Sequence, residues 1–110
     1  MRRNKRKSRN EFRYNYDTGH MNYIFEEDGK RYHAIGITHK SKTCGRKNMP
    51  LEENPQRGKN RKSYVRNGYI SNYKYKFANK TDKRFSFSDK DIFNVKSKIR
   101  KFKSRRRKRK

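Results

Sequence analysis

Of 110 residues, 35 are Lys or Arg and ten are Asp or Glu, a formal charge of +25. Any compact state has to hold that charge against its own repulsion, which constrains folding more than any apolar pattern in the chain. A polyanion relieves the repulsion. Phosphate is the commonest such partner, and neutralising it releases condensed counterions, so binding of this kind is strong and salt-sensitive.

The apolar side of the balance is small. Leu, Ile, Val and Phe together make 16 of the 110 residues, a fraction at which highly charged chains are usually disordered. Eight tyrosines push the other way, because each can bury a ring while its hydroxyl stays in water. A small Tyr/Phe-rich core between disordered basic arms satisfies both facts. The length suits one domain.

The charge is not evenly spread. Residues 1–9 hold six basic groups and no acid, and residues 96–110 hold eleven and no acid, so 10–95 is a mixed-charge segment able to fold. The expected organisation is a basic arm over 1–12, a nucleic-acid-binding domain over 13–103 and a basic tail over 104–110. Such like-charged blocks are usually solvated interaction tails. The run Arg105-Arg106-Arg107-Lys108-Arg109-Lys110 also fits a nuclear import signal.

Within the middle segment, Met21 to Phe25, the turn signal Asp28-Gly29 and Arg31 to Thr38 read as a β-hairpin, with the acids Glu26, Glu27 and Asp28 at its tip. Residues 39–62 form a long irregular stretch with two Pro, two Gly and three Asn. A loop of that length is normally functional or disordered. Asn67-Gly68 predicts a second hairpin between Ser63–Arg66 and a return strand in which Tyr73, Tyr75 and Phe77 alternate with Lys74 and Lys76. A further short strand is expected through Phe85 and Phe87. Ser88 reads as an N-cap, with Asp91 three residues on to answer it. Ile92, Val95, Ile99 and Phe102 then form one apolar stripe, which predicts a helix from about Asp89 to Phe102 or beyond. The fold class is α+β: a small antiparallel sheet of four to five strands with one C-terminal basic helix, flanked by disordered basic arms.

Charge places the phosphate contacts on four segments. They are Arg2, Arg3, Lys5, Arg6 and Lys7 in the first arm; Lys40, Lys42, Arg46, Lys47, Arg57, Lys59, Arg61, Lys62 and Arg66 in and after the long loop; Lys74 and Lys76; and Lys96, Lys98, Arg100, Lys101, Lys103, Arg105, Arg106 and Arg107 on the helix and tail. Tyr73, Tyr75 and Phe77 admit two roles, a base-stacking face or a face turned to the core. His33 and His39 with Lys40, Arg61, Ser63, Tyr64 and Arg66 contain the residue types of a metal-independent ribonuclease, which needs a base, an acid and cations on the phosphate. Residues His39, Lys40, Arg61 and Tyr64 would carry that chemistry.

The runs Ile35-Gly36-Ile37-Thr38-His39-Lys40, Lys47-Asn48-Met49-Pro50-Leu51, Asn54-Pro55 and Ser63-Tyr64-Val65 resemble short proteins of bacterial mobile elements and phages. Those in turn are similar to ribonucleases of the barnase–EndoU–colicin–RelE type, which include toxins. The resemblance spans about residues 21–100. It implies an RNA substrate, no metal and an active site near His39, Arg61 and Tyr64, and it leaves both basic arms unexplained.

Other classes fit poorly. One cysteine, Cys44, permits no internal disulfide. One Cys and three scattered His do not supply a zinc site, and no cofactor is expected. Gly45-Arg46-Lys47 and Gly58-Lys59 lack the spacing of a nucleotide loop. No stretch is apolar enough for a signal peptide or a membrane span, and the helix stripe is too narrow for a membrane surface. The expected partner is nucleic acid, RNA before DNA, inside the cell (cytoplasm or nucleoid, the nucleus in a eukaryote, or a virion). The order of readings is an RNA-binding or ribonucleoprotein-assembly protein, then an endoribonuclease, then a DNA-condensing or virion-packaged protein.

Overall fold

The computed structural model describes residues 6–108, with side chains through residue 105. The elements are β1 (Arg6–Asn15), β2 (His20–Asp28), β3 (Arg31–Thr38), β4 (Lys42–Thr43), β5 (Arg46–Lys47), β6 (Met49–Pro50), β7 (Tyr64–Tyr73), a 3-10 turn at Lys74–Lys76 and helix α1 (Asp89–Lys108). Five strands make one antiparallel sheet in the order β1-β2-β3-β7-β6, and β4 and β5 pair separately within the long loop. The fold is α+β, with one C-terminal helix.

The β2–β3 hairpin forms where the two strand-like runs and the Asp28-Gly29 turn signal place it, Gly29 taking φ +63°. Both strands carry four consecutive buried residues, Asn22–Phe25 and Tyr32–Ile35, because the sheet is covered on both faces. On one face α1 lays Val95, Ile99 and Phe102 against Phe12, Tyr23, Phe25, Ile35, Val65 and Tyr69. On the other, the chain after β7 folds back so that Phe77 covers Ile24, Tyr32 and Ala34. Rings supply what aliphatic residues do not: Phe12, Tyr23 and Phe87 meet in pairs 5.0–5.4 Å apart, and Phe25 meets Tyr69 edge-on at 5.3 Å. Pairs of this kind add about 1 kcal/mol each beyond the area they bury.

Several local expectations give way to long-range pairing. Residues 6–12, assigned by charge to an arm, form the first part of β1, and the acids explain why. Arg6, Lys7 and Ser8 stand opposite Asp28, Glu27 and Glu26, so cross-strand attraction replaces self-repulsion. Residues 1–5 and 109–110, the rest of the expected arms, lie outside the described residues. At the other end α1 runs to Lys108, past the expected tail boundary at 104.

Asn67-Gly68 does not make a hairpin. Strand β7 runs straight through it, pairing with β3 on both sides (Ile37 with Val65, Ile35 with Tyr69), so Arg66, Asn67 and Gly68 bulge opposite Gly36 alone. Neither residue takes the positive φ that a tight hairpin turn demands. A Cβ at Gly36 would stand 3.0 Å from Arg66 Cγ, so a larger residue there would have to shift that side chain by a few tenths of an ångström. The predicted Tyr73–Phe77 strand also fails. After Tyr73 the chain tightens into a 3-10 turn, closed by Phe77 N–H donating to Lys74 O at 3.1 Å. Phe85 and Phe87 lie in a loop, joined to the rest by a single bridge from Phe85 to Gln56, and their rings pack on the core.

Ser88 caps α1 through its Oγ, which accepts from Asp91 N–H at 3.1 Å. Asp91 does not return the bond. Its buried carboxylate turns to the long loop and accepts from Glu52 N–H at 2.8 Å and Glu53 N–H at 3.1 Å. That links the helix start to the segment carrying Leu51 into the core.

Candidate nucleic-acid interface

The acidic residues are largely paired inside the molecule. Seven of the ten carboxylates (Glu11, Asp17, Glu26, Glu27, Asp28, Glu52 and Asp82) lie within ion-pair distance of Lys or Arg. Glu27 is held below the usual carboxylate range, first by the Lys74 hydrogen bond and then by Arg9. Asp17 is lowered likewise, first by the Asn72 amide and then by Lys76. The acids expected at the hairpin tip are held in this way: Glu26 binds Lys103 at 2.9 Å and Glu27 binds Lys74 at 2.7 Å.

These pairs divide the cations expected at phosphate. Arg6, Lys74, Lys76 and Lys103 already hold carboxylates. Lys40, Lys42, Arg46, Lys47, Arg57, Lys59 and Arg61 on the long loop are exposed and, among the described residues, have no ion-pair partner. Lys96, Arg100, Lys101 and Arg105 on α1 are exposed in the same way, and Lys98 is half-buried. Lys62 reaches back to Leu51 O at 3.3 Å. Arg66 is half-buried in the β7 bulge, where its Nε and the Asn67 Nδ2 lack hydrogen-bond partners among the described residues. Arg2, Arg3 and Lys5 lie outside the described residues, as do the side chains of Arg106 and Arg107.

The two roles open to the aromatic run divide residue by residue. Phe77 is buried at 1%, while Tyr73 and Tyr75 are exposed at 41% and 72%. The 3-10 turn rotates Phe77 inward and leaves both tyrosines outside, their rings 5.6 Å apart and 13° from parallel. Arg31 stands 4.3 Å from the Tyr73 ring centre, and Lys76 stands 5.4 Å from that of Tyr75. A second exposed pair, Tyr14 with Tyr16, meets edge-on at 5.5 Å. Nothing in the local sequence marks that pair.

The candidate catalytic set comes together only in part. Thr38 pairs with Tyr64, which brings His39 beside Ser63. The His39 Nδ1 lies 3.1 Å from Lys62 O and 3.3 Å from Ser63 Oγ. His39 lines a cleft of about 160 Å³ with Thr38, Asn54, Gln56 and Ser63, and His20, which no sequence motif singles out, lines it as well. Lys40, Arg61 and Tyr64 do not line that cleft. Their side chains have no bond to His39 among the described residues.

No group of three or more His, Cys, Asp or Glu among the described residues is placed to hold a metal, and no described helix is long and apolar enough to cross a membrane. Comparison of the chain with protein-family models, with curated proteins and with solved structures finds no match.

Proposed function

We propose that this chain is a small RNA-binding protein of the kind that assembles ribonucleoproteins, held to RNA chiefly through phosphate. The observation that carries this reading is the segregation of charge. Seven of the ten carboxylates are taken up by internal pairs, while seven exposed cations of the long loop and four on α1 have no ion-pair partner among the described residues. Such surfaces ask for a polyanion. RNA is preferred to DNA because the exposed tyrosine rings suit unpaired bases, which folded RNA presents and duplex DNA conceals.

The test is an end-labelled structured RNA mixed with the protein in EDTA and run on native and denaturing gels at several salt concentrations. The expected result is a salt-sensitive shift with intact RNA. Replacing Lys40, Lys42, Arg46 and Lys47 with Ser should weaken binding and flatten the salt dependence, by roughly 0.7–0.9 in logarithmic slope for each phosphate no longer neutralised. Equal affinity for duplex DNA, with compaction, would favour a DNA-condensing protein instead.

A second reading, a metal-independent endoribonuclease, draws on the His39 cleft. Two imidazoles on one cleft beside a hydroxyl are the groups that in-line cleavage of RNA uses as base and acid. Discrete cleavage in EDTA, abolished by His39→Ala with affinity retained, would put this reading first.

A further inference from the structure

We propose that the exposed tyrosines Tyr14, Tyr16, Tyr73 and Tyr75 form a stacking platform for unpaired bases, so that the preferred ligand is single-stranded RNA, with Tyr75 and Tyr16 each receiving a base. The platform rests on the RNA-binding reading and specifies its ligand.

Apolar surface is scarce in this chain. With 16 Leu, Ile, Val and Phe in 110 residues, the core is built from rings, yet Tyr14, Tyr16, Tyr73 and Tyr75 stay 41–72% exposed. Simple alternation would have put Tyr73, Tyr75 and Phe77 on one face of a strand. The 3-10 turn instead separates Phe77 from the tyrosines.

The exposed rings are also held in place. Tyr73 is packed between neighbours: Arg31 lies over its ring, and Tyr75 is stacked with it. Tyr75, the more exposed of the two, keeps the larger free surface. The Tyr14–Tyr16 pair is tied to the same segment, because Tyr16 N–H donates to Lys76 O at 2.8 Å and Ala78 N–H donates to Tyr14 O at 2.9 Å. Asp17 fastens the two sides, accepting from Asn72 Nδ2 at 2.9 Å and pairing with Lys76 at 3.2 Å. Rings fixed before binding lose little entropy when a base stacks on them.

Charge around the rings suits the same ligand. Asp17, the acid next to Tyr16 in sequence, is neutralised by Lys76, while Lys30 and Arg31 stay exposed beside Tyr73 with no ion pair among the described residues. Aromatic faces beside cations fit a strand whose bases are splayed and whose backbone is anionic. A duplex hides those base faces, so it would use the cations alone.

The experiment uses the full chain, a ten-nucleotide single-stranded RNA with one 2-aminopurine, and a duplex RNA of equal length. Base stacking on a ring quenches 2-aminopurine, and anisotropy gives the affinity. The double variant Tyr16→Leu with Tyr75→Leu keeps apolar volume and removes the rings; Tyr16→Phe with Tyr75→Phe keeps them. All four substitutions lie on exposed rings, away from the core. The expected result is quenching by wild type and the Phe variant, with about a tenfold or greater loss of single-strand affinity in the Leu variant and under twofold change for duplex. Equal losses on both ligands, or unchanged single-strand binding by the Leu variant, would overturn the platform while leaving RNA binding intact. Failure of the wild type to bind either RNA would overturn the RNA-binding reading, and the platform with it.

Discussion

His33 is the residue whose burial has the clearest consequence. Its ring lies among Phe25 and Tyr69, with centroids 6.4 and 6.2 Å away, and neither nitrogen has a hydrogen-bond partner among the described residues. Asp28 is 3.7 Å from Nε2, too far for a hydrogen bond. Burial therefore pushes the imidazole below its ordinary value of 6.5, against the opposing pull of Glu26. The unfolded chain takes up this proton first as pH falls, so the contribution is full above about 6.5 and is lost as pH drops through that value toward the folded pKa. Urea unfolding should show a lower midpoint at pH 5.5 than at pH 7.5, and His33→Gln should shrink the difference; an unchanged pH dependence in the variant would place the effect elsewhere. Tyr23 makes the opposite case. Burial of its hydroxyl, which has no partner among the described residues, pushes its pKa up to about 12. Tyr23→Phe removes that orphan while keeping the ring against Phe12 and Phe87, and should raise stability by about 1 kcal/mol, or roughly 5 °C in a calorimetric scan.

At the scale of elements, helix α1 depends on two side chains that do different things. Ser88 satisfies one free N–H of the first turn, and Ser88→Ala should cost about 1 kcal/mol. Asp91 is 1% exposed and holds two N–H groups of the loop. Its loss leaves both without partners, so Asp91→Ala should cost roughly 2–4 kcal/mol. Denaturant titration of the two variants checks the order; a smaller cost at Asp91 would mean that water replaces the carboxylate. The β7 bulge shows the same reach across the sheet. It exists because Val65 and Tyr69 must meet Ile37 and Ile35, and three residues are left over between them.

For the whole molecule, charge sets the conditions of stability. The folded chain measures 49 × 32 × 26 Å, so many like charges lie within a few Debye lengths of one another, about 10 Å at 0.1 M salt. Internal ion pairs occupy most carboxylates but leave a net +25. Raising NaCl from about 50 to 300 mM should therefore raise the melting temperature, because screened self-repulsion outweighs weakened surface pairs. A fall in melting temperature over that range would show that the Glu26, Glu27 and Asp28 pairs dominate instead.

What the sequence determined by itself is local or global in kind. The β2–β3 hairpin was legible because two strand-like runs flank the Asp28-Gly29 turn signal, and α1 because Ser88 is followed by a stripe with helical period. Net charge, which needs no geometry, pointed to a polyanion. The tertiary structure decided everything that depended on a distant partner. Asn67-Gly68 has the local chemistry of a turn, yet pairing with β3 on both sides drew it into a strand. Basic β1 is a strand because the acids of β2 stand opposite it. Phe77 turned inward while Tyr73 and Tyr75 stayed outside because one hydrophobic face needed covering after β7, and the turn that supplied the cover exposed their rings. His20 joined His39 at one cleft through the same packing. A chain this poor in aliphatic residues places its side chains by contacts between distant segments, and those contacts leave little trace in local sequence.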